Sequence, residues 1–122
     1  MRILIAEDNP LMRRCLKRLV SDLAPSVFEC SDGKSAIDLY RELRPDVVLM
    51  DVRMPEMDGL TALDEIVRDC PSAIVLIVTE HDETAYRREA LKCGATAYFL
   101  KENLQDVREW LQKMADVEEG RV

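Results

Sequence analysis

Four short apolar runs of this chain end in residues that can do chemistry. "ILIA" runs into Glu7 and Asp8, "VVLM" into Asp51, "AIVLIV" into Thr79 and "AYFL" into Lys101. Carboxylates gathered in one pocket repel by roughly 1 to 4 kcal/mol per pair at 4 Å. A hard divalent cation with oxygen ligands offsets that repulsion, and Mg²⁺ is satisfied by a few carboxylates plus waters. An ammonium and a hydroxyl beside it suit phosphoryl transfer, where charge on equatorial oxygens must be stabilised. An aspartate can itself accept the phosphoryl group. Taken singly the residues say little. An Asp after a strand is usually a turn or cap residue, and Asp8 could merely favour the start of a helix. The conjunction at four strand ends carries the reading.

The elements that must position these groups alternate along the whole chain. "RILIA" reads as the first strand. Asn9 and Pro10 then supply an N-cap and a first-turn proline, before Met12, Cys15, Leu16, Leu19 and Leu23 at helical spacing. "SVFECS" is a second strand, with Glu29 pointing to a sheet edge; the helix after it carries Ala36, Leu39, Tyr40 and Leu43 and stops before Pro45. "VVLM" precedes a helix marked by Gly59, Leu63, Ile66, Val67 and Cys70. "AIVLIV" (73–78) precedes a helix over 82–93, ended by Gly94 in a left-handed cap. "TAYFL" is the fifth strand, and Leu104, Val107, Leu111 and Met114 line the last helix, with Trp110 beside that stripe as core edge or dimer surface. Five β/α units imply an α/β fold, a doubly wound parallel sheet covered on both faces. In such a sheet the functional crevice lies at the carboxyl ends of the strands.

The 122 residues suit one domain, 1–122. A net charge of −7 disfavours direct contact with nucleic acid or an anionic membrane. The longest apolar run is too short to span a bilayer, and "MRILIAEDN" is no secretory signal, so the expected location is cytoplasmic. Cys15, Cys30, Cys70 and Cys93 show no metal spacing and read as reduced thiols, several of them buried. A lone His81 cannot build a histidine metal site.

"ILIAEDN", "VVLMDVRMPEMDG", "IVLIVTE" and "ALKCGATAYFLKEN" resemble the four motif blocks of the receiver domain of two-component response regulators. The resemblance spans nearly the whole chain. It implies a (βα)5, flavodoxin-like receiver fold with strand order 2-1-3-4-5. It implies Mg²⁺-dependent phosphorelay signalling, with Asp51 as phosphoacceptor. Glu7, Asp8, Asp51 and the main-chain carbonyl of Arg53 would hold the metal. Thr79 and Lys101 would contact the phosphoryl group, and Tyr98 would be the aromatic that swings inward on activation. The implied partners are a sensor histidine kinase or phosphotransfer protein and a C-terminal output domain or downstream protein; homodimerisation on activation stays open.

The chain also departs from the family pattern. Glu102 follows Lys101 where many members have proline, so a cis bond is not implied. "LKEN" resembles receivers joined to a helix-turn-helix domain. Glu80 follows Thr79 where a small residue is usual, and either hinders the phosphodonor or points to solvent. Arg53 and His81, two residues beyond Asp51 and Thr79, are expected to flank the pocket and tune water attack on the acyl phosphate. The helix over 82–93 has a thin apolar face of Ala85, Tyr86, Ala90 and Cys93, so it and the Tyr98 strand are expected to change most on activation. The domain is expected to be no free-standing enzyme beyond acting on its own Asp51. Two alternatives remain: a degenerate receiver acting only as an interaction module, and a Mg²⁺-dependent aspartyl-phosphate phosphohydrolase, which lacks its usual DxDxT loop here. A flavin-binding domain is disfavoured, because no Gly/Ser/Thr-rich loop follows the first strand.

Overall fold

Side-chain alternation within each strand decides the two layers of this molecule, whose computed structural model describes residues 1–120. The strands are β1 (Arg2–Ala6), β2 (Ser26–Cys30), β3 (Val47–Met50), β4 (Val75–Thr79) and β5 (Ala97–Leu100). They form one parallel sheet in the order β2-β1-β3-β4-β5. The helices are α1 (Pro10–Val20), α2 (Gly33–Leu43), α3 (Gly59–Asp69), α4 (Thr84–Lys92) and α5 (Leu104–Glu118). Leu4, Ala6, Val48, Met50, Val75 and Ile77 face a core completed by α2, α3 and α4. Ile3, Ile5, Val47, Leu49, Leu76 and Val78 face the opposite core, closed by α1 and α5. β1, β3 and β4 are apolar on both faces because both faces are covered. β2 is an edge, and Glu29 on it is exposed, beside Arg13 and Lys17.

Local capping chemistry sets most helix starts. The Asn9 side chain accepts from the Leu11 and Met12 amides, with Pro10 in the first turn. Asp32 accepts from the Ser35 amide and Asp58 from the Thr61 amide. α4 has no such bond; Glu83 stands at its N-cap without capping it. Gly94 does take the expected left-handed conformation, φ 100°.

Several boundaries differ from expectation. α1 ends at Val20, and Leu23 lies beyond it in a turn whose Leu23 and Ala24 amides both donate to the Val20 carbonyl. Helical spacing persists through that turn, so periodicity alone did not mark the stop. β4 begins at Val75; Pro71 and Ser72 make the turn from α3, and Ala73 and Ile74 lead irregularly into the strand, with the Ile74 carbonyl accepting from the Val48 amide. α4 spans Thr84–Lys92 rather than 82–93. A single 3₁₀ turn at Lys101–Asn103 joins β5 to α5, and no described peptide bond is cis. All four cysteines are free, but none is fully buried, and Cys15 is exposed on α1. Trp110 packs half-buried at the margin of the α1/α5 core. No described helix is long and apolar enough to cross a membrane.

Candidate functional site

The carboxyl ends of β1, β3 and β5 bring Glu7, Asp8, Asp51 and Lys101 into one cleft of about 420 Å³, which Arg53 and Glu80 also line. Asp51 follows the buried β3 directly and is 6% exposed. Its Oδ1 accepts from the Val52 amide at 2.7 Å, and its Oδ2 accepts from Lys101 Nζ at 2.9 Å. The side chain is therefore held from both ends. Lys101 also lies 2.7 Å from Glu7 Oε1. That approach is an ion pair without hydrogen-bond geometry, so Glu7 Oε1 is a buried acceptor lacking a hydrogen bond. Glu7 Oε2 accepts from the Asn9 amide at 3.1 Å.

Charge does not balance here. Ligand atoms of Glu7, Asp8 and Asp51 all lie within 4.8 Å of one another, facing the one ammonium of Lys101. Burial raises the Glu7 carboxyl above its usual range; Lys101 and the Asn9 amide oppose this, and the Asp51 charge adds to it. Burial would push the Lys101 ammonium down, but the Glu7 and Asp51 carboxylates beside it outweigh that and leave it raised. Lys101 thus stays charged at neutral pH, and an excess of negative charge remains. The surplus negative charge, the close carboxylate set and the exposed side at Asp8 fit a hard divalent cation that keeps several waters.

A glycine lets this rigidity happen. Gly59 donates its amide to the Val52 carbonyl at 2.6 Å, and a Cβ there would stand 1.8 Å from the Asp51 carbonyl oxygen. The start of α3 therefore packs on the main chain of Asp51 itself. Gly33, at the start of α2, approaches the same loop, its amide donating to the Met57 carbonyl at 3.1 Å. Neither contact is visible in sequence; spacing suggested only that Gly59 opens a helix.

Other expected site residues lie elsewhere. Thr79 is fully buried and does not line the cleft; its Oγ1 accepts from the His81 amide at 3.4 Å. The His81 ring packs on Tyr86 of α4, centroids 5.4 Å apart, away from the cleft lining. Tyr98 is buried, and its hydroxyl donates to the His81 carbonyl. Arg53 does reach the cleft, but its guanidinium donates to the Tyr86 hydroxyl at 2.8 Å. Tyr86 was read only as part of a thin helical face, since nothing local links positions 33 residues apart.

The family model for the response regulator receiver domain matches residues 3–113. The chain is 37% identical over 101 residues to the chemotaxis protein CheY of Thermotoga maritima, covering 82% of this chain and 84% of that one. It is 36% identical over 104 residues to the transcriptional regulatory protein DegU of Brevibacillus brevis, covering 83% of this chain but 44% of that one. Among solved structures, a LuxR-family DNA-binding response regulator from Staphylococcus aureus superposes with a TM-score of 0.85 at 30% identity, over 93% of this chain and 98% of that one. The signal receiver domain of the putative response regulator NarL from Mycobacterium tuberculosis does so with a TM-score of 0.81 at 34% identity, over 94% and 95%. With fold, strand order and family match in agreement, this chain belongs to the receiver domain family of two-component response regulators, the signalling domains of phosphorelays.

Proposed function

We propose that Asp51 accepts a phosphoryl group from a histidine kinase or phosphotransfer protein. The observation that carries this reading is a buried carboxylate held by Lys101 inside an acidic cluster with surplus negative charge. An Asp51 carboxylate oxygen forms the new bond to phosphorus as the bond from phosphorus to the donor nitrogen breaks, and the donor imidazole leaves. Glu7, Asp8, Asp51 and the Arg53 carbonyl would hold Mg²⁺, which supplies charge neutralisation for the transferring group. Lys101 meets phosphoryl charge as a fixed cation, and Thr79, whose Oγ1 accepts from the His81 amide, offers its hydroxyl proton to the phosphoryl group. Tyr98 and α4 carry the response, since α4 buries Ala90 alone. Arg53, Glu80 and His81 set the lifetime of the modification. Output passes to a C-terminal domain or separate protein; the chain spans 84% of CheY but 44% of DegU and 22% of AtoC, so both arrangements have relatives.

Incubation with a small acyl-phosphate donor and Mg²⁺, followed by intact mass, tests the acceptor. The wild-type chain should gain one phosphoryl group and Asp51→Ala none. Modification that persisted in Asp51→Ala would move the acceptor elsewhere. A second reading, an interaction module that takes no phosphoryl group, is favoured by one observation: the acidic, exposed Glu80 at the cleft wall. Failure of the wild-type chain to gain mass would select it. Replacing Arg53 and His81 together by alanine should change the dephosphorylation rate, and an unchanged rate would remove them from that role.

A further inference from the structure

Arg53 stands between two cavities. It lines the acidic cleft with Asp51 and Glu80, and it lines a neighbouring hollow of about 340 Å³ with Tyr86, Met54 and Leu60. Its guanidinium is bound on the second side: it donates to the Tyr86 hydroxyl at 2.8 Å and lies 5.8 Å from the centre of that ring. Tyr86 belongs to the first turn of α4. Among the described residues, this is the one side-chain hydrogen bond joining α4 to an element outside its own flanking loops; the Arg87–Asp82 and Cys93–Glu89 contacts stay within them. Beyond it, α4 is held by Ala90, its one fully buried residue, by Tyr86 and Cys93 packed partly against the core, and by Arg87, whose guanidinium lies 4.7 Å from the centre of the Tyr98 ring; it has no side-chain cap. The His81 ring packs on Tyr86, and the His81 carbonyl takes the Tyr98 hydroxyl. The pair therefore touches both the cleft rim and the group that holds Tyr98.

We propose that Arg53 and Tyr86 form a latch that holds α4 against the loop after Asp51 and opens when Arg53 is drawn to a phosphoryl group in the cleft. This rests on Asp51 being the acceptor. The physical reason is a competition for one guanidinium. A phenol offers a single neutral acceptor, whereas a phosphoryl group offers charged oxygens that accept in bidentate geometry, with bonds roughly twice as strong. Arg53 already lines the cleft together with Asp51, so the exchange of partners is a movement of its side chain. Tyr86 then loses its partner, and the first turn of α4, already uncapped, loses its one side-chain bond to the neighbouring element.

Amide hydrogen exchange across residues 84–92 tests the latch, with α1 as the internal control. In the unmodified protein, Tyr86→Phe keeps the ring and removes the hydroxyl, and Arg53→Ala removes the guanidinium. Each should raise α4 exchange about fivefold, the equivalent of one net hydrogen bond of about 1 kcal/mol. The double variant should raise it no further than either single one, and α1 should be unchanged. Full additivity, or no rise in either variant, overturns the latch. A second arm adds Mg²⁺ and beryllium fluoride as a phosphoryl mimic. The wild-type chain should show the fivefold rise, and Tyr86→Phe, already released, almost none. A full rise in Tyr86→Phe overturns the transfer from cleft to helix. Intact mass after acyl-phosphate treatment separates the parent reading: no gain by the wild-type chain defeats the acceptor role and the transfer step with it, while the first arm still decides the resting latch.

Discussion

α3 and α4 follow neighbouring strands, and both begin beside the cleft, yet they are held very differently. α3 buries Gly59, Ala62, Leu63 and Ile66, is capped by Asp58, and packs its first residue on the main chain of Asp51. α4 buries Ala90 alone, has no side-chain cap, and exposes Leu91. Every added buried contact raises the cost of local opening, so α4 should open at lower cost than α3. The contrast suits the proposed reading. If Asp51 accepts a phosphoryl group it must sit still, and an element that reports it must have a second arrangement within reach. The anchored helix lies behind Asp51, and the lightly held one lies after Thr79.

The sharpest attack on the contrast is at its anchor. Gly59→Ala places a Cβ on the Asp51 carbonyl, where only backbone movement relieves the clash, and should cost about 3 kcal/mol or more in urea unfolding. A cost below about 1 kcal/mol would mean that α3 does not rest rigidly on Asp51. Next comes a matched pair. Leu63→Ala, on the buried face of α3, should cost about 3 kcal/mol, while Leu91→Ala on α4 should stay within about 0.5 kcal/mol. Equal losses would erase the difference between the helices.

Capping gives a finer test. Asp58→Ala removes the bond to the Thr61 amide and should cost about 1 kcal/mol. Glu83→Ser gives α4 the cap it lacks, and should slow its amide exchange and blunt its response to a phosphoryl mimic. Unaltered exchange in Glu83→Ser would show that the missing cap is not what leaves α4 loose. The smallest effect concerns strain on the anchored side. Glu56, in the loop between Asp51 and α3, has φ 67°, a conformation that suits glycine. Glu56→Gly should raise stability by about 0.5 kcal/mol, the relief of a left-handed side chain less the entropy of glycine. A loss of stability there would mean that the Glu56 side chain contributes to the loop.

Much of this architecture is written locally. The continuous apolar runs announce the buried strands, residues such as Leu63 announce helices through a period of 3.6, and Asn9 announces a helix start, its side chain accepting from amides two and three residues on. The acids, hydroxyl and ammonium of the site are legible because a parallel sheet collects its strand ends on one edge. Leu23 was misplaced by the same logic, since spacing continues past the point where the chain turns.

Pattern and composition thus set the fold class, the strand ends and the candidates Glu7, Asp8, Asp51, Thr79 and Lys101. Pattern did not say that Lys101 bridges Asp51 and Glu7, that Thr79 is buried outside the cleft lining, that Gly59 rests on Asp51, or that Arg53 reaches Tyr86. Those contacts join positions as much as 94 residues apart, as Glu7 and Lys101 are, and their distances depend on sheet order, twist and the depth at which each helix packs. Periodicity carries the face a residue presents; which atom it meets there is decided only when the layers close.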